Sequence, residues 1–236
     1  MQPTDNPVPK HIGVILDGNR RFAKKLMMKP WKGHEWGAKK VEKLLIWCSD
    51  LGIKELTLYT FSMQNFNRPK PEFDMLMKLF EEFFSEPELK NKLRENDIKV
   101  TFLGRIHKFP EPVHKAMLEL VDWTKDHKTY QVNFAMAYGG QEEVLDAVQK
   151  LGQQIKENKI QPEDITKEVF QKNLYMDHEP AFIIRTGGDR RTSNFLIWQS
   201  WYSEWFFLEK TWPEFEKEDL VECITQFNNR DRRFGK

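Results

Sequence analysis

Cysteine is scarce in this chain of 236 residues, which contains only Cys48 and Cys223. The two residues form neither a disulfide framework nor a paired metal motif, and such usage is typical of a reducing cytosol. No apolar run approaches the length of a membrane span, and the N-terminus lacks the apolar region of a signal peptide. We therefore expect a soluble, cytoplasmic protein.

A charge excess of either sign is also absent. The chain has 37 Lys and Arg residues against 36 Asp and Glu residues, which gives a net charge of +1. No global field attracts nucleic acid, so we expect no nucleic-acid partner, and the basic clusters must act locally. The sequence also contains no P-loop and no Gly-x-Ser-x-Gly elbow, which excludes two common kinds of active site.

Apolar runs of strand and helix type alternate along the chain, with no linker, repeat or low-complexity segment between them. This order predicts an α/β fold with one domain over 1–236, in which helices flank a central, mostly parallel six-stranded sheet. We expect an N-terminal extension at 1–10 and a basic C-terminal tail at 228–236. Strands are predicted at 11–16, 55–62, 98–103, 130–138, 181–185 and 205–209, and helices near 20–28, 36–50, 72–95, 110–125, 141–156, 166–174, 193–203 and 214–228.

The stretch from Arg185 to Asn194 concentrates groups that bind anions. It reads Arg-Thr-Gly-Gly-Asp-Arg-Arg-Thr-Ser-Asn, after a predicted buried strand and before a predicted helix start. Glycines let the backbone approach a phosphate closely, and free N–H groups at a helix start point toward it. Arginine adds bidentate hydrogen bonds. The pattern favours a phosphate ligand, and a diphosphate in particular.

A second such stretch, Asp-Gly-Asn-Arg-Arg at 17–21, follows the first predicted strand. An Asp at the C-terminal end of a parallel strand lies where open α/β sheets bind ligands. Beside a diphosphate, a lone carboxylate usually binds Mg²⁺, which bridges phosphate oxygens. The alternative is that Asp17 merely caps the next helix. Two anion-binding stretches in one chain favour the metal site.

A third predicted strand end carries Ser62, Asn65 and Arg68, at the same edge of the sheet. Their alternative role is turn formation, since Asn and Pro favour turns. His34, which follows Gly33, is by itself more often a structural histidine than a catalytic one.

Two further positions carry charge. Glu204, predicted on the helix before 205–209 and flanked by aromatic residues, is expected to be partly buried, and a buried carboxylate needs a partner or a metal. The basic tail at 228–236 is, on its own, most simply a solvated chain end.

Aromatic residues are abundant, with 18 Phe and 8 Trp in the chain. This surplus suggests an apolar cavity or a large interface in addition to a core. The predicted helix after Pro71 concentrates apolar residues at helical spacing, and alone this stripe indicates an ordinary core face. The residues of the stripe are Phe73, Leu76, Met77, Phe80, Phe83 and Phe84.

Taken together, the ordered motifs resemble one family, the cis-prenyltransferases, which include undecaprenyl and dehydrodolichyl diphosphate synthases. The resemblance runs from His11 to Gly235. The chain lacks the Asp-Asp pair of the all-helical prenyl synthases, which weighs against that class. The matching motifs lie at 17–21, 33–34, 58–62, 65–69, 138–140, 185–188, 193–199, 212–213 and 233–235.

The resemblance implies an enzyme that repeatedly condenses isopentenyl diphosphate with an allylic diphosphate, such as farnesyl or geranylgeranyl diphosphate, and forms a cis double bond at each step. It implies Mg²⁺ at Asp17, with Glu204 of the same or the partner subunit as a further ligand. It also implies a homodimer, and a lipid product that would bring the enzyme to the membrane periphery. The Phe-rich helix would then line a tunnel for the growing chain.

The resemblance also implies roles for individual residues. The residues at 18–21 would bind the allylic diphosphate. The diphosphate group of isopentenyl diphosphate would be bound by Arg185, Arg191 and Ser193. The tail would reach into the partner's site. Catalytic roles are implied for Asp17, His34, Ser62 and Asn65. Substrate binding is implied for Gly18, Asn19, Arg20, Arg21, Phe22, Phe66, Arg68, Arg185, Arg191, Ser193, Arg233 and Gly235.

The chain departs from the family's common pattern at several positions. Pro30 stands where bacterial members carry arginine, Asp189 where many have Glu, and Phe22 and Phe66 where many have Trp. Arg20 resembles archaeal and eukaryotic members. These departures leave primer preference open, and they leave irregular prenyl coupling as an alternative reaction.

A non-catalytic partner subunit of a heteromeric enzyme is a further alternative. Such partners lack the aspartate and arginine motifs but keep the terminal Arg-x-Gly. This chain has both sets, so we expect it to be active alone.

Overall fold

One parallel sheet organises residues 8–230, the part of the chain that the computed structural model describes. Every strand pairing in it is parallel, and the strand order is β3-β4-β2-β1-β5-β6. The predicted α/β fold is thus confirmed. Each of the six predicted strands begins and ends within two residues of the corresponding observed strand. The strands are β1 (His11–Ile15), β2 (Glu55–Ser62), β3 (Ile98–Leu103), β4 (Tyr130–Tyr138), β5 (Phe182–Arg185) and β6 (Glu204–Phe207).

Helices connect consecutive strands except between β5 and β6. In parallel sheets such crossovers cover the faces, which is why the strands are almost continuously apolar. Between residues 8 and 230, no helix is both long and apolar enough to cross a bilayer. The α-helices are α1 (Asn19–Lys25), α2 (Pro30–Leu51), α3 (Lys70–Ser85), α4 (Pro87–Glu95), α5 (Glu111–Thr124), α6 (Gly140–Lys156), α7 (Lys167–Gln171) and α8 (Lys217–Asn228).

Two of the helix predictions are wrong. The predicted helix at 193–203 is a series of turns, because Ser193, Asn194 and Leu196 have φ values of 51°, 64° and 46°. Left-handed residues cannot continue a right-handed helix. The predicted helix at 72–95 is two helices, since the chain becomes extended at Glu86 before Pro87.

Strand order reverses at β1, which has β2 on one side and β5 on the other. Ile15 at the end of β1 pairs with Tyr59 and with Arg185. The segments that follow β1, β2 and β5 therefore emerge at one edge of the sheet. Open α/β sheets bind ligands in the crevice at such a switch point. The predicted convergence of three strand ends is confirmed.

Candidate active site

Asp17 and Arg185 form an ion pair at the switch point. The Arg185 Nη2 atom donates to Asp17 Oδ2 at 2.8 Å, and the Arg185 side chain is only 3% exposed. Thr186 links the two loops, since its hydroxyl donates to the Asp17 carbonyl at 2.8 Å. Burial alone would raise the pKa of Asp17, but the Arg185 hydrogen bond and the charges of Arg21 and Arg185 hold it below its ordinary value. Asp17 is therefore a carboxylate at neutral pH.

The loop after β5 wraps around the Arg185 guanidinium. Its Nη1 atom donates to Ser193 Oγ at 2.6 Å and to the Arg191 carbonyl, while Nε is buried without a partner in the described part of the chain. Gly187 and Gly188 take left-handed φ values of 91° and 83°, and their N–H groups donate to carbonyls of the 208–210 segment. Only glycine adopts such angles without strain. The glycines thus shape this loop without the helix N-terminus that we predicted.

Arg21 connects the two anion-binding loops from the other side. Its Nη2 atom lies 2.9 Å from Asp17 Oδ1 and 3.2 Å from Asp189 Oδ2, and its Nη1 atom donates to the Gly187 carbonyl. Asp189 also pairs with Arg191 at 3.0 Å. The carboxylates of Asp17 and Asp189 therefore share the Arg21 guanidinium. Asp189 was not predicted as a site residue, although it lies in the motif that drew attention to the loop.

The turn between Asp17 and α1 depends on Gly18. Gly18 has φ 102°, and a Cβ there would lie 2.7 Å from the Thr211 Cβ. A larger residue would displace the loop before α8, which also holds the Asp17 carbonyl through the Trp212 N–H at 2.9 Å. Gly18 and Asn19 line a cavity of about 780 Å³ together with Arg20 and Arg21. The predicted basic pocket thus forms around this turn.

A second cavity, of about 560 Å³, runs from this polar edge into the protein interior. Its mouth is lined by Asp17, Arg185 and Ser193, and its depth by apolar side chains of α2, α3 and the sheet. Phe80, Phe83 and Phe84 all line it, as the predicted tunnel wall requires. A polar mouth with an apolar interior suits an amphipathic ligand that has an anionic head and a hydrocarbon tail.

Ser62 and Asn65 lie at the mouth but also bond to each other. The Ser62 N–H donates to Asn65 Oδ1 at 2.9 Å, and the Ser62 side chain accepts from the Asn65 backbone, which caps the short 3₁₀ helix Met63–Asn67. Both residues line the cavity with the apolar interior. Turn formation and proximity to a ligand therefore coexist here.

His34 and Arg68 share a buried acidic partner that sequence inspection missed, Glu72. Arg68 Nη1 bonds to Glu72 Oε1, and His34 Nε2 lies 3.8 Å from the same oxygen. Burial, together with the Arg68 charge, lowers the pKa of His34 to about 4, so it is neutral at pH 7. Its Nε2 atom is buried and has no hydrogen-bond partner. Glu72 follows Arg68 at the i,i+4 spacing of helical ion pairs, a signal that could have revealed it.

Stability should fall below pH 6.5 because of His34. Its pKa is about 4 in the folded protein and 6.5 ordinarily, so protonation favours the unfolded chain between these values. This contribution is fully present above pH 6.5 and is lost as pH falls toward 4, by at most about 3 kcal/mol. Denaturant unfolding of wild type and His34→Asn at pH 7 and pH 4.5 should show a smaller loss in the variant. His11, whose burial also lowers its pKa to about 4, cancels in this comparison. Equal losses would contradict the assignment.

Three predicted binding residues do not line either cavity. Phe22 packs against Trp36, with ring centroids 5.6 Å apart, and Phe66 packs against the buried Phe61 at 5.1 Å. The Arg191 side chain is 63% exposed and turned toward Asp189, although its carbonyl supports Arg185. Phe22 and Phe66 thus contact other aromatic rings of this chain, and their role in substrate binding stays a prediction. Arg233 and Gly235 lie outside the described residues.

Glu204 is not where we predicted it. It begins β6 rather than lying on a helix, and it pairs with Phe182, whereas Arg185 pairs with Phe207. Three residues of strand, roughly 10 Å, thus separate it from the level of Arg185. Its carboxylate accepts from Arg230 at 2.6 Å. Glu204 therefore cannot share a metal ion with Asp17 of the same subunit, and only a role in the partner's site remains open.

Among residues 8–230, one group of three has metal-ligand atoms close together, and it does not include Asp17. His11, Glu55 and His178 bring such atoms within 4.8 Å of one another. They lie at the opposite edge of the sheet, since His11 and Glu55 begin β1 and β2. A metal at Asp17 would depend on substrate and water oxygens for most of its ligands.

Comparison with known proteins identifies the family to which this arrangement belongs. The Prenyltransf family model, which describes undecaprenyl diphosphate synthases, matches residues 15–235. A tritrans,polycis-undecaprenyl-diphosphate synthase (geranylgeranyl-diphosphate specific) of Thermococcus kodakarensis is 46% identical over 231 residues, which are 97% of this chain and 88% of that protein. The chain belongs to the undecaprenyl diphosphate synthase family.

Other relatives support the same assignment for this cis-prenyltransferase. A synthase of the same description from Methanocaldococcus jannaschii is 45% identical over 97% of this chain and 83% of its own length. The crystal structure of lavandulyl diphosphate synthase from Lavandula x intermedia, in complex with dimethylallyl diphosphate, superposes with a TM-score of 0.92. It is 30% identical and covers 97% of this chain and 99% of its own. The enzyme is a prenyl transferase that condenses isopentenyl diphosphate with an allylic diphosphate into a longer Z-polyprenyl diphosphate.

Proposed function

We propose that this enzyme elongates geranylgeranyl diphosphate, and that its two substrates meet at the Asp17–Arg185 ion pair. The observation that carries the proposal is the position of this pair, at the mouth of a cavity with an apolar interior. The specificity in the names of the archaeal relatives supports geranylgeranyl diphosphate as the primer. Growing polyprenyl chains would occupy the apolar interior. The long hydrocarbon tail of the product would bring the enzyme to the periphery of a membrane.

The allylic diphosphate would bind at 17–21. Arg20 and Arg21 supply positive charge there. Gly18 has no side chain, so the diphosphate could approach the backbone closely. The ion pair between Arg20 Nε and Glu72 is long, at 3.9 Å, and the Arg20 side chain is 59% exposed. Arg20 would therefore be available to a ligand. Bidentate contacts from two guanidinium groups would neutralise charge that develops on the departing diphosphate.

Isopentenyl diphosphate would bind at the loop after β5. Ser193 Oγ and Arg185 face the cavity mouth together, and Arg185 Nε is a buried donor without a partner. Buried polar atoms are almost always hydrogen-bonded, so this donor is suited to an anionic ligand. Both diphosphates would then lie beside the Asp17–Arg185 pair, which keeps the two reacting carbons near one another.

The residues around Asp17 fit Mg²⁺. Asp17 and Asp189 supply only oxygen ligands, both carboxylates are partly exposed, and both contact Arg21 Nη2. Magnesium takes one or two protein carboxylates and completes its shell with phosphate oxygens and water. When bound, the ion would stabilise negative charge on the leaving diphosphate. Asp17 would hold it, Asp189 would be a second candidate ligand, and Glu204 of the partner subunit would be a third.

Neutral His34, Ser62 and Asn65 would surround the reacting carbons. His34 Nε2 has no hydrogen-bond partner among residues 8–230. This nitrogen would therefore be available to accept a proton from the substrate or to donate one to it. Ser62 and Asn65 hold one another in place, which would orient the ligand at low entropic cost. A homodimer, in which the tail with Arg233 and Gly235 reaches the partner's site, is part of the proposal.

Primer competition tests the proposed substrate. Purified enzyme with Mg²⁺ and isopentenyl diphosphate is offered farnesyl and geranylgeranyl diphosphates together. The two primers carry different isotopic labels, so that the mass of each product identifies its primer. We expect kcat/KM for geranylgeranyl diphosphate to exceed that for farnesyl diphosphate by at least about tenfold, since the extra isoprene unit has five carbons and each buried methylene contributes about 0.8 kcal/mol. A preference for farnesyl diphosphate would overturn the primer, and a branched product of irregular coupling would overturn regular elongation.

Phe83→Ala should lengthen the products. Phe83 lines the apolar cavity beside Phe84 and Phe134, where the advancing chain would meet packed rings. Removing one ring opens space that an apolar chain fills at about 0.8 kcal/mol per methylene. We expect a shift of roughly one or more five-carbon units in the dephosphorylated products by mass spectrometry, with total turnover little changed.

Phe109→Ala is the matched control for this prediction. Phe109 is 5% exposed and packs against Phe61 and Phe80, but it does not line the cavity. It should lower stability to a similar extent without changing product length. If Phe83→Ala gives the wild-type distribution, the end of the tunnel lies elsewhere.

A further inference from the structure

The edge of the sheet opposite the active site carries a cluster that the prenyl-transfer reaction does not use. His11 and Glu55 occupy paired positions at the starts of β1 and β2, so their side chains project from the same face. His178 lies in the loop that enters β5, the other neighbour of β1. Strand pairing therefore brings together three residues that are far apart in the sequence.

The candidate ligand atoms of the cluster lie close together. Glu55 Oε2 lies 2.7 Å from His178 Nε2, and the His11 and His178 rings have centroids 5.3 Å apart. Suitable ligand atoms of all three residues lie within 4.8 Å. His11 and Glu55 are fixed by the sheet, whereas His178 is 45% exposed on its loop.

One atom of this cluster is left unsatisfied. His11 is 5% exposed, its Nε2 atom is hydrogen-bonded to Thr57 Oγ1 at 2.8 Å, and its Nδ1 atom is buried without a hydrogen-bond partner. A buried polar atom without a partner costs free energy of about 1–3 kcal/mol. A bound cation would remove this cost, because Nδ1 would then act as its ligand.

Each of the three groups also has its second polar atom held by a neighbour. Thr57 bonds to His11 Nε2, Asn133 donates to Glu55 Oε1 at 2.6 Å, and Asp177 bonds to His178 Nδ1 at 3.0 Å. Outer partners of this kind orient metal ligands, and a carboxylate on a ligating histidine is common. Of the remaining atoms, Glu55 Oε2 and His178 Nε2 bond to each other, so an ion would replace the proton between them, and His11 Nδ1 has no hydrogen-bond partner among residues 8–230.

We propose that His11, Glu55 and His178 form a second metal site, which binds Zn²⁺ or a similar transition-metal ion rather than Mg²⁺. Two imidazoles and one carboxylate are ligands that Zn²⁺ accepts in tetrahedral geometry, with water in the fourth position. Magnesium prefers oxygen ligands, so this site is chemically distinct from the one at Asp17. The bound ion would tie β1, β2 and the entry to β5 together and stabilise the fold.

Zinc titration of the metal-free protein tests the proposal without an activity assay. Protein treated with a chelator and exchanged into clean buffer is titrated with ZnCl₂ by calorimetry, and its thermal unfolding is followed with ZnCl₂ and with MgCl₂. The Asp17→Asn background is used throughout, so that binding at the substrate site does not contribute. We expect one Zn²⁺ per chain, a rise in Tm of several degrees with Zn²⁺, and no such rise with Mg²⁺.

Variants of the ligands locate the binding. His178→Ala should weaken Zn²⁺ binding by at least about 100-fold, and Asp177→Asn by about tenfold, since outer partners alone change metal affinity by 10- to 100-fold. Glu55→Gln provides an independent variant of similar shape. His107→Ala, an exposed histidine away from the cluster, should bind as the parent does. Absence of saturable Zn²⁺ binding, or equal binding by the parent and His178→Ala, would overturn the proposal and leave an ordinary Glu55–His178 ion pair.

Discussion

Asp17→Ala is expected to lower kcat by at least about 100-fold while the protein remains folded. Asp17 accepts hydrogen bonds from Arg185 at 2.8 Å and from Arg21 at 2.9 Å, at the point where the two anion-binding loops meet. Loss of one key electrostatic contact to charge developing in a transition state costs about 3 kcal/mol. Steady-state rates with saturating substrates and Mg²⁺ measure the effect.

Two controls separate chemistry from stability in this experiment. Removing Asp17 leaves the buried Arg185 charge with one partner fewer, which destabilises the loop. Asp17→Asn keeps an oxygen near Arg185 but removes the negative charge, and should be nearly as inactive. Asp74→Ala removes an exposed carboxylate that pairs only with Lys70, and should keep wild-type activity. If Asp17→Ala retains more than about a tenth of the activity, the role assigned to Asp17 is wrong.

Arg185→Lys is expected to lower kcat/KM for isopentenyl diphosphate by at least about 100-fold. The guanidinium of Arg185 reaches Asp17, Ser193 and the Arg191 carbonyl at once, and a lysine ammonium cannot reproduce this planar fork. Truncating one partner of a buried, hydrogen-bonded charge pair costs about 2–5 kcal/mol. Initial rates over a range of isopentenyl diphosphate concentrations give the value.

Arg190→Lys is the matched control for this substitution. Arg190 lies in the same loop, but its side chain is 75% exposed and, within residues 8–230, its ion pair is with Glu209 at 3.8 Å. It should change kcat/KM less than about twofold, because exposed ion pairs contribute little. Similar losses in both variants would show that the loop, rather than the Arg185 fork, determines binding.

Much of the fold was predictable because parallel strands are buried on both faces. The apolar runs that became β1, β2 and β5 identified the sheet, and the polar residues after each run identified its active edge. The 193–203 segment was not predictable from the same pattern. Phe195 and Leu196 are buried, but Ser193 and Asn194 adopt left-handed angles that orient the Arg185 loop and stop a helix.

The site itself was only partly predictable, since side-chain partners depend on tertiary packing. Asp17 and Arg185 were expected at neighbouring strand ends, but Glu72 was recognised only when its contacts with His34 and Arg68 were seen. Glu204 was misplaced because the aromatic residues around it belong to the strand that it begins rather than to a helix.

The cluster at the opposite edge of the sheet was not predictable. Its residues, His11, Glu55 and His178, have no motif spacing and are joined only by strand register and the loop before β5. Sequence patterns reveal ligands that share one segment, whereas this set comes from three.

A single-turnover experiment tests the central claim most directly. Enzyme in excess over geranylgeranyl diphosphate is mixed with a still smaller, limiting amount of labelled isopentenyl diphosphate and with Mg²⁺, and the dephosphorylated product is examined by mass spectrometry and NMR. We predict one product that is longer by a five-carbon unit, with a Z double bond in the new unit, from the wild type and none from Asp17→Asn. An E or branched product, or the same product at the same rate from Asp17→Asn, would contradict the proposal that substrates meet at the Asp17–Arg185 pair.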